Sequence, residues 1–555
     1  MKNYGMQIDS QPYVTDVFTL LEPGKIQAKK RQDQQRDIID LKRFNQIYSL
    51  ELFRQGFYNV APIDTWGIFI WKNEEILAIK MLQTFGELIK TIEGNEKRIQ
   101  NPPKIFCVNY SDQVQDWIQF MKEKIVETAN LQVQAVVIVI PDFQDLQKVK
   151  RFKQAIREAM SSQIPVNFKI IKASSLKVKL KRQDLFNYKC GITLAKTLIK
   201  AGSTPFIPHQ LQILERPTMI LGIFRDDKGI SISATLNKEL SYVFSDIVLI
   251  DKTNWELNFI NLMEKAFCDF KTKQNIFPQK LIVYRLQQTS IPQTGEQVDH
   301  EQIYKREIQL LTYLHSIYHQ KEHPVFNYHT LTYLVVRDIS TQLKTHNLNI
   351  FSFDQQHKYV QNTFKSGLLV DCMPIIDPSS YSFLIQTFKQ PKLTPDSQLS
   401  QSQPQPSQNQ QQQQPNPTLN SIILNKISEN YDQQRLTHYQ VLYDSTQSQV
   451  LDYAEDSQQN QNYTQNCQQL KELSYKLQNY SYIKFGCHKY PNVIQYAKRT
   501  KKMRLLQGNT ELKNQNELNN QLQGEQILGI NPEESENRVI EVHQKFYASN
   551  GFHFL

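Results

Sequence analysis

Short continuous apolar runs alternate along the chain with segments in which apolar residues recur every three or four positions. Residues 135–140 (AVVIVI) form an apolar run that ends at Pro141, and residues 148–160 (KVKRFKQAIREAM) then have helical spacing. Residues 165–173 (PVNFKIIKA) again have strand character. Buried strands that alternate with amphipathic helices are typical of an open α/β layer. The pattern predicts such a layer between about 100 and 205.

Three more apolar runs follow one another closely and begin a second α/β pattern. They cover residues 218–224 (TMILGIF), 229–237 and 241–250. A helical segment, a buried run at 280–286 (KLIVYRL) and a second helical segment come next. Three antiparallel strands, a helix and then a parallel strand are the element order of an RNase H-like core. Periodicity by itself leaves other α/β arrangements open.

Polar segments interrupt the second pattern. Residues 391–417 are a Gln/Pro/Ser tract with almost nothing apolar to bury, which predicts a disordered Gln-rich insertion. Residues 455–467 and 507–538 are also polar, and we interpret them as long loops or partly helical insertions. Because ordered sequence resumes after each segment, these insertions interrupt a domain and do not separate domains.

Composition narrows the class of protein. The 555 residues suit two to four domains, and 64 Lys and Arg against 54 Asp and Glu give a net charge of +10, which suits a polyanionic partner. Six scattered cysteines with no CxxC pair favour reduced thiols over a zinc site. Apolar runs are strand-sized, and there is no charged-then-apolar leader, so we expect no membrane association and a cytosolic or nuclear location.

Several segments, in order, resemble landmarks of the Argonaute/Piwi family. Residues 2–27 look like the linker that leads into the MID domain, and residues 136–206 look like the MID core and its junction with PIWI. The PIWI landmarks are matched at 218–224, 278–285, 367–388, 436–444, 490–498 and 552–555 (FHFL). The resemblance implies a linker and the start of MID at 1–99, an open α/β MID core at 100–205 and an RNase H-like PIWI domain at 206–555. It also implies that the family's N-terminal and PAZ domains have no counterpart in the chain.

In this family a MID pocket binds the 5′-phosphate of a guide strand through a Tyr, a Lys, a Gln and two further Lys. The resemblance places Lys150, Gln163, Lys196 and Lys200 at the Lys, Gln and final Lys positions. Lys196 and Lys200 are four residues apart on a predicted helix, so they share a face and can converge on one anion. A set of separate, solvated lysines is the alternative.

The Tyr position of the pocket is changed, since Leu146 stands there. Leucine offers no π-face for the first guide base, so stacking there would have to come from Phe143 or Phe152. In Piwi-type members a magnesium ion joins the phosphate to the terminal carboxylate, which here belongs to Leu555. A hydrophobic tail docked on the core is the alternative interpretation of FHFL.

Family members that cut RNA hold two magnesium ions with Asp, Glu, Asp and a final His or Asp. The resemblance places Phe224 and Leu286 at the two Asp positions and Lys498 at the last one. Hydrocarbon does not bind magnesium, and an ammonium repels or replaces it. Glu256 lies near the Glu position, although its alignment is ambiguous. We therefore expect that cutting is lost.

Neighbouring carboxylates are not expected to replace the missing magnesium ligands. Asp226 and Asp227 follow Phe224 closely, but two residues along a strand move a side chain roughly 6–7 Å, too far for a ligand held at about 2.1 Å. His438 belongs to a structural landmark of the family and is not the catalytic His.

The expected function is that of a non-cleaving protein that binds a small guide RNA and a complementary RNA target. Silencing or chromatin proteins would act as its partners. No catalytic cofactor is expected, and magnesium is left open only at the 5′-phosphate. The alternatives are a protein-interaction scaffold that binds no guide and, less favoured, a magnesium-dependent RNA endonuclease.

Overall fold

The computed structural model describes most of the predicted core, in these ranges: residues 18–29, 36–41, 55–94, 97–109, 113–127, 133–162, 164, 166–180, 183–209, 211–226, 229–249, 255–287, 300–322, 330–339, 367–372, 381–388, 434–445, 457–482 and 488–502. The predicted insertions at 391–417 and 507–538 lie outside the described residues. Most of the polar segment 455–467 lies at the start of a helix, which agrees with a partly helical insertion.

A small parallel sheet and its helices form the first layer, after three short strands. The elements in chain order are β1 (Phe18–Leu20), β2 (Lys25–Lys29), β3 (Arg36–Asp40), β4 (Trp66–Trp71), α1 (Glu75–Glu93), β5 (Lys104–Val108), α2 (Val114–Glu127), β6 (Ala135–Ile140), α3 (Leu146–Ser162), β7 (Asn167–Lys172), α4 (Ala173–Leu180), α5 (Gln183–Lys200) and β8 (Ile207–Pro208).

The small sheet has the order β5-β4-β6-β7, and every neighbouring pair is parallel. All six residues of β6 are buried because helices cover both faces, which explains the uninterrupted apolar run. The predicted open α/β layer is thus confirmed. It also includes β4 and α1, which precede residue 100.

A large mixed sheet forms the second layer. Its elements, with α8 and α9 after the last strand, are β9 (Thr218–Arg225), β10 (Gly229–Thr235), β11 (Val243–Leu249), α6 (Trp255–Gln274), β12 (Lys280–Leu286), α7 (His300–Glu322), β13 (Thr330–Asp338), β14 (Leu368–Cys372), β15 (Tyr381–Phe388), β16 (Gln434–Asp444), α8 (Ser457–Asn479) and α9, helical over 492–502.

The order of the large sheet is β1-β14-β15-β16-β13-β12-β9-β10-β11. β9, β10 and β11 form the predicted antiparallel meander, and β12 is parallel to both β9 and β13. The RNase H-like element order is therefore confirmed. The strand β1, which the sequence places in a linker, pairs with β14 at the sheet edge.

Buried tyrosines join the two layers. Tyr480, Tyr482 and Tyr496 belong to the same apolar cluster as the α1 and α5 side of the small sheet. The Tyr482 hydroxyl donates to the Phe206 carbonyl oxygen at 2.6 Å, and the Tyr482 N–H donates to the Tyr496 hydroxyl at 3.1 Å. Hydrogen bonds that satisfy buried polar atoms fix the relative position of the layers.

Among the described helices, none is both long and apolar enough to span a bilayer.

Helix α9 crosses β9 at Gly222 in very close contact. A Cβ atom at Gly222 would lie 2.6 Å from the Ile494 backbone nitrogen and would also overlap the Val493 carbonyl group. These are backbone atoms, so they cannot move aside as a flexible side chain would. The missing side chain of Gly222 therefore sets how closely α9 packs on the sheet.

Gly222→Ala should destabilise the protein by about 1–3 kcal/mol because it overpacks a backbone contact. The matched control is Gly86→Ala on the exposed face of α1, where an added Cβ meets no atom within 4 Å. That change should stabilise the protein by about 0.5–1 kcal/mol through helix propensity. Urea unfolding of both variants tests the contact, and equal stability of the two would contradict it.

Candidate nucleic-acid interface

Two predicted phosphate ligands, Lys196 and Lys200, lie close to a third lysine. Lys200 stands at the last residue of α5 and is only 5% exposed. Its ammonium donates to the Phe168 carbonyl oxygen at 2.8 Å and lies 4.7 Å from the centroid of the Phe168 ring. Lys169 follows Phe168 on β7, and the charges of Lys196 and Lys200 both act on its pKa. The end of α5 and the strand β7 thus bring three ammonium groups together.

Two arginines from other elements complete this group. Arg499 of α9, in the second layer, and Arg157 of α3 both act electrostatically on Lys200. Arg157 is exposed and Arg499 is half-buried. We call the five side chains the cationic cluster (Lys169, Lys196, Lys200, Arg157 and Arg499). The cluster draws on both layers, so it exists only when they are packed together.

Two lysines of the cationic cluster lie in an environment that disfavours their charged forms. Burial, followed by the neighbouring positive charges, lowers the pKa of Lys169 to about 6 and the pKa of Lys200 to about 7. Every effect identified on these two groups lowers the pKa, and none comes from a carboxylate. Like charges held together at reduced solvation destabilise one another, and an anion bound among them would relieve that cost. The arrangement is suited to a phosphate group.

Local sequence explains why the lysines of α5 meet. Apolar residues such as Cys190, Leu194 and Leu198 bury one side of the helix, which leaves Lys196 and Lys200 together on a neighbouring side. The last turn of a helix carries partial negative charge, which favours a cation at Lys200.

Of the remaining predicted pocket residues, two are exposed on α3 and two lie outside the described residues. Lys150 is exposed near the start of α3, and Arg157 follows seven residues later, so the two lie on one face about 10 Å apart along the helix. Leu146 is 69% exposed at the start of the same helix. Gln163 and Leu555 lie outside the described residues.

The two candidate stacking residues differ in exposure. Phe152 is 3% exposed and packs against Trp117 and Phe143, with ring centroids 5.7 and 5.1 Å away. Phe152 is therefore a core residue and does not present its ring to a base. Phe143 is half-buried, with the Lys148 ammonium 5.0 Å from its ring centroid.

Sequence reasoning missed Lys169, Arg157 and Arg499. Arg157 could have been found from its seven-residue spacing to Lys150. Lys169 interrupts an apolar strand, which is a weak signal. Arg499 comes from an element more than 290 residues away from α5, and no local pattern marks it.

The residues at the expected metal site are apolar or cationic. Phe224 and Leu286 are direct neighbours on the parallel strands β9 and β12, and both are buried. The ammonium groups of Lys498 and Lys501 lie 5.6 and 5.4 Å from the centroid of the Phe224 ring. These residue types do not fit a pair of magnesium ions.

Nearby carboxylates are paired with cations. Asp226 forms an ion pair with Lys501. Glu256 accepts hydrogen bonds of 2.9 and 2.7 Å from Arg306 at the surface between α6 and α7, and this contact lowers the pKa of the Glu256 carboxyl. Asp227 lies outside the described residues. Within the described ranges, no three His, Cys, Asp or Glu side chains are grouped as a metal site would require.

His438 has a structural environment on β16. Burial, and then the charge of Arg337, lowers its pKa to about 4, so its ring is neutral at neutral pH. The residue pairs with Arg337 of β13 and Leu384 of β15 in the middle of the sheet. This position fits the structural role expected for it.

A buried ionic network connects the ends of the central strands on the face of the large sheet opposite Phe224 and Leu286. Glu307 of α7 is fully buried and accepts hydrogen bonds from Arg285 at 3.0 Å and from the Tyr333 hydroxyl at 2.5 Å. Arg225 lies 3.6 Å from the same carboxylate and stacks on Trp255, 4.2 Å from that ring centroid. The network ties α6 and α7 to β9, β12 and β13.

Solved structures share this architecture. Drosophila Piwi is 14% identical with a TM-score of 0.55, covering 86% of this chain and 53% of that one. Kluyveromyces polysporus Argonaute with a guide RNA is 12% identical with a TM-score of 0.55, covering 88% and 50%. The C-terminal lobe of a budding yeast Argonaute is 12% identical with a TM-score of 0.55, covering 88% of each chain. No protein-family model and no curated protein matches the sequence.

These similarities establish the class of fold. The chain is an α/β protein with two packed layers, and its architecture is similar to an Argonaute C-terminal lobe. The fold is therefore Argonaute/Piwi-like and corresponds to the MID–PIWI portion, as the resemblance implied. The chain spans about half the length of the Piwi and guide-bound Argonaute chains that it matches.

Lys169→Met should weaken the pH dependence of stability. An unfolded chain keeps this lysine protonated up to about 10.5, whereas the folded chain releases the proton near pH 6. Between these values the unfolded chain binds more protons, so the free energy of unfolding rises with pH. The variant lacks this group, and its rise between about pH 6.5 and 9 should be smaller than that of the wild type.

Urea midpoints at constant ionic strength measure the difference. Lys80→Met, at an exposed position of α1, is the control and should keep the wild-type pH dependence. A rise in Lys169→Met as steep as in the wild type would show that Lys169 is not held in a costly environment.

Proposed function

We propose that this protein binds the 5′-phosphate of a small guide RNA in the cationic cluster and holds the guide with its complementary RNA target without cutting it. The observation that carries the proposal is the cationic cluster itself: five basic side chains converge from both layers, and burial and the neighbouring positive charges lower the pKa values of Lys169 and Lys200. A bound phosphate dianion would raise both pKa values, keep these lysines charged and accept several hydrogen bonds.

The fold supports a nucleic-acid ligand. One structure with the same architecture is an Argonaute with a guide RNA. The net charge of +10 suits a polyanion as well. A small inorganic anion would need only one or two cations, whereas the helix face that runs from Arg157 to Lys150 continues the positive surface beyond a single phosphate.

The chemistry of the metal site supports loss of cutting. Phe224 and Leu286 form an apolar surface where hard oxygen ligands are needed, and Lys498 adds a positive charge there. Asp226 and Glu256 are paired with Lys501 and Arg306. These residues do not fit magnesium at this position.

Magnesium also has little support at the cationic cluster. The five side chains of the cluster are ammonium and guanidinium groups, which do not bind metal ions. The carboxylate that would hold the ion belongs to Leu555, outside the described residues. In the proposed function the five cations neutralise the phosphate directly. Partner proteins for silencing or chromatin targeting belong to the same proposal.

A scaffold that binds no guide is the second candidate. It would keep the fold without a need for clustered charge, so the convergence of five basic side chains counts against it. Absence of short RNA in the purified protein would favour the scaffold.

Wild-type protein should bind 5′-phosphorylated RNA at least tenfold more tightly than the same RNA with a 5′-hydroxyl. Arg157→Ala combined with Lys196→Ala should remove most of this preference, because each residue contributes a charge-assisted contact to the phosphate. Fluorescence anisotropy with a 5′-modified single-stranded RNA pair measures both affinities.

Arg151→Ala is the matched control for Arg157→Ala, since Arg151 is exposed on a different face of α3. It should reduce both affinities equally and leave the 5′-phosphate preference intact. Equal binding of the two RNAs by the wild type would contradict guide binding at the cluster.

Magnesium-dependent cleavage of a complementary target should be undetectable with a 5′-phosphorylated guide. Gel analysis of end-labelled target over a long incubation measures it. Cleavage that disappears in Glu256→Gln or Asp226→Asn would contradict the proposal and would show that the large sheet keeps a working metal site. Cleavage that both variants retain would come from another source.

A further inference from the structure

Three lysines lie at the carboxyl ends of the central strands of the large sheet, and their charges are compensated unequally. Lys501 pairs with Asp226 and also donates to the Gly229 carbonyl oxygen at 3.3 Å. Lys489 pairs with Asp338 at the end of β13. Each of these lysines is thus neutralised within the protein.

Lys498 is different. It is exposed, and it makes no ion pair with any residue in the described part of the chain. Its ammonium is held 5.6 Å from the centroid of the Phe224 ring, one turn of α9 before the neutralised Lys501. Burial, and then the charge of Lys498, lowers the pKa of Lys489, so the two ammonium groups are within electrostatic range. The local excess of positive charge is centred on Lys498.

The surface beneath Lys498 strengthens its attraction for an anion. Phe224 and Leu286 lie side by side and are 7% and 3% exposed, so the neighbouring protein is apolar and of low dielectric. Coulombic attraction is larger beside such a medium than in bulk water. The cation–π contact also restricts the lysine, which reduces the entropy that binding would cost.

We propose that Lys498 binds a backbone phosphate of an RNA strand that crosses the carboxyl ends of β9 and β12. A phosphodiester carries one negative charge, and one ammonium balances it without a divalent ion. An ammonium cannot activate water as a bound metal does, so the contact holds the strand without cutting it. This inference rests on the proposed function, since an RNA duplex must lie across the large sheet.

The test uses the full-length protein and an RNA duplex of about twelve base pairs with 5′-hydroxyl ends, so that the cationic cluster gains no terminal phosphate. Lys498→Ala should weaken duplex binding about fivefold at low salt and reduce the slope of log affinity against log salt by about one. Wild-type affinity should be the same with EDTA and with magnesium at matched ionic strength. Lys498→Arg should retain binding because it keeps the charge.

Lys502→Ala is the matched control, because Lys502 is also exposed on α9 but has no contact with Phe224 among those described. Its effect should be much smaller than that of Lys498→Ala. Equal effects of the two variants, a requirement for magnesium or no duplex binding by the wild type would each overturn the inference. The inference would also be overturned if Lys498→Ala weakened binding of an acidic peptide and left binding of the RNA duplex unchanged.

The two proposals can fail separately. The 5′-phosphate preference depends on Arg157 and Lys196 at the small sheet, whereas duplex binding by 5′-hydroxyl RNA depends on Lys498. A protein with a normal 5′-phosphate preference and no effect of Lys498→Ala would retain the proposed function and lose this inference.

Discussion

The close packing of α9 on β9 is the contact on which both candidate sites depend. Gly222 lets the backbone of Val493 and Ile494 at the start of α9 approach the sheet, and this fixes the position of the helix. One side of α9 then places Lys498 and Lys501 over Phe224. Arg499, the residue after Lys498, belongs to the cationic cluster. A shift of α9 would therefore disturb the two sites together.

The two sites use positive charge differently. In the cationic cluster, burial and neighbouring positive charge disfavour the charged forms of Lys169 and Lys200, which lowers the stability of the free protein at neutral pH. At the strand ends Asp226 and Asp338 neutralise two of the three lysines. The first arrangement suits a dianion bound deep between the layers, and the second suits a single phosphodiester at the surface.

A separate ionic network is buried on the face of the large sheet opposite Phe224 and Leu286. Glu307 gathers Arg285, Arg225 and Tyr333 beneath the ends of the central strands. A buried carboxylate is retained only when it is paired and hydrogen-bonded, as it is here. The network holds α6 and α7 in place, and the paired Glu256 and Arg306 lie at the outer end of the same two helices.

The sequence by itself predicted the strands and helices between 135 and 173 and between 218 and 286, together with their order, because apolar periodicity reflects which faces are buried. It also determined that Phe224, Leu286 and Lys498 are chemically unfit for magnesium, since that depends on residue type alone. Only the tertiary structure decided that β1 joins the large sheet, that Phe152 is core and that Lys169 and Arg499 join Lys200. Those outcomes depend on contacts between residues far apart in the chain, and neither local spacing nor composition encodes how two layers pack.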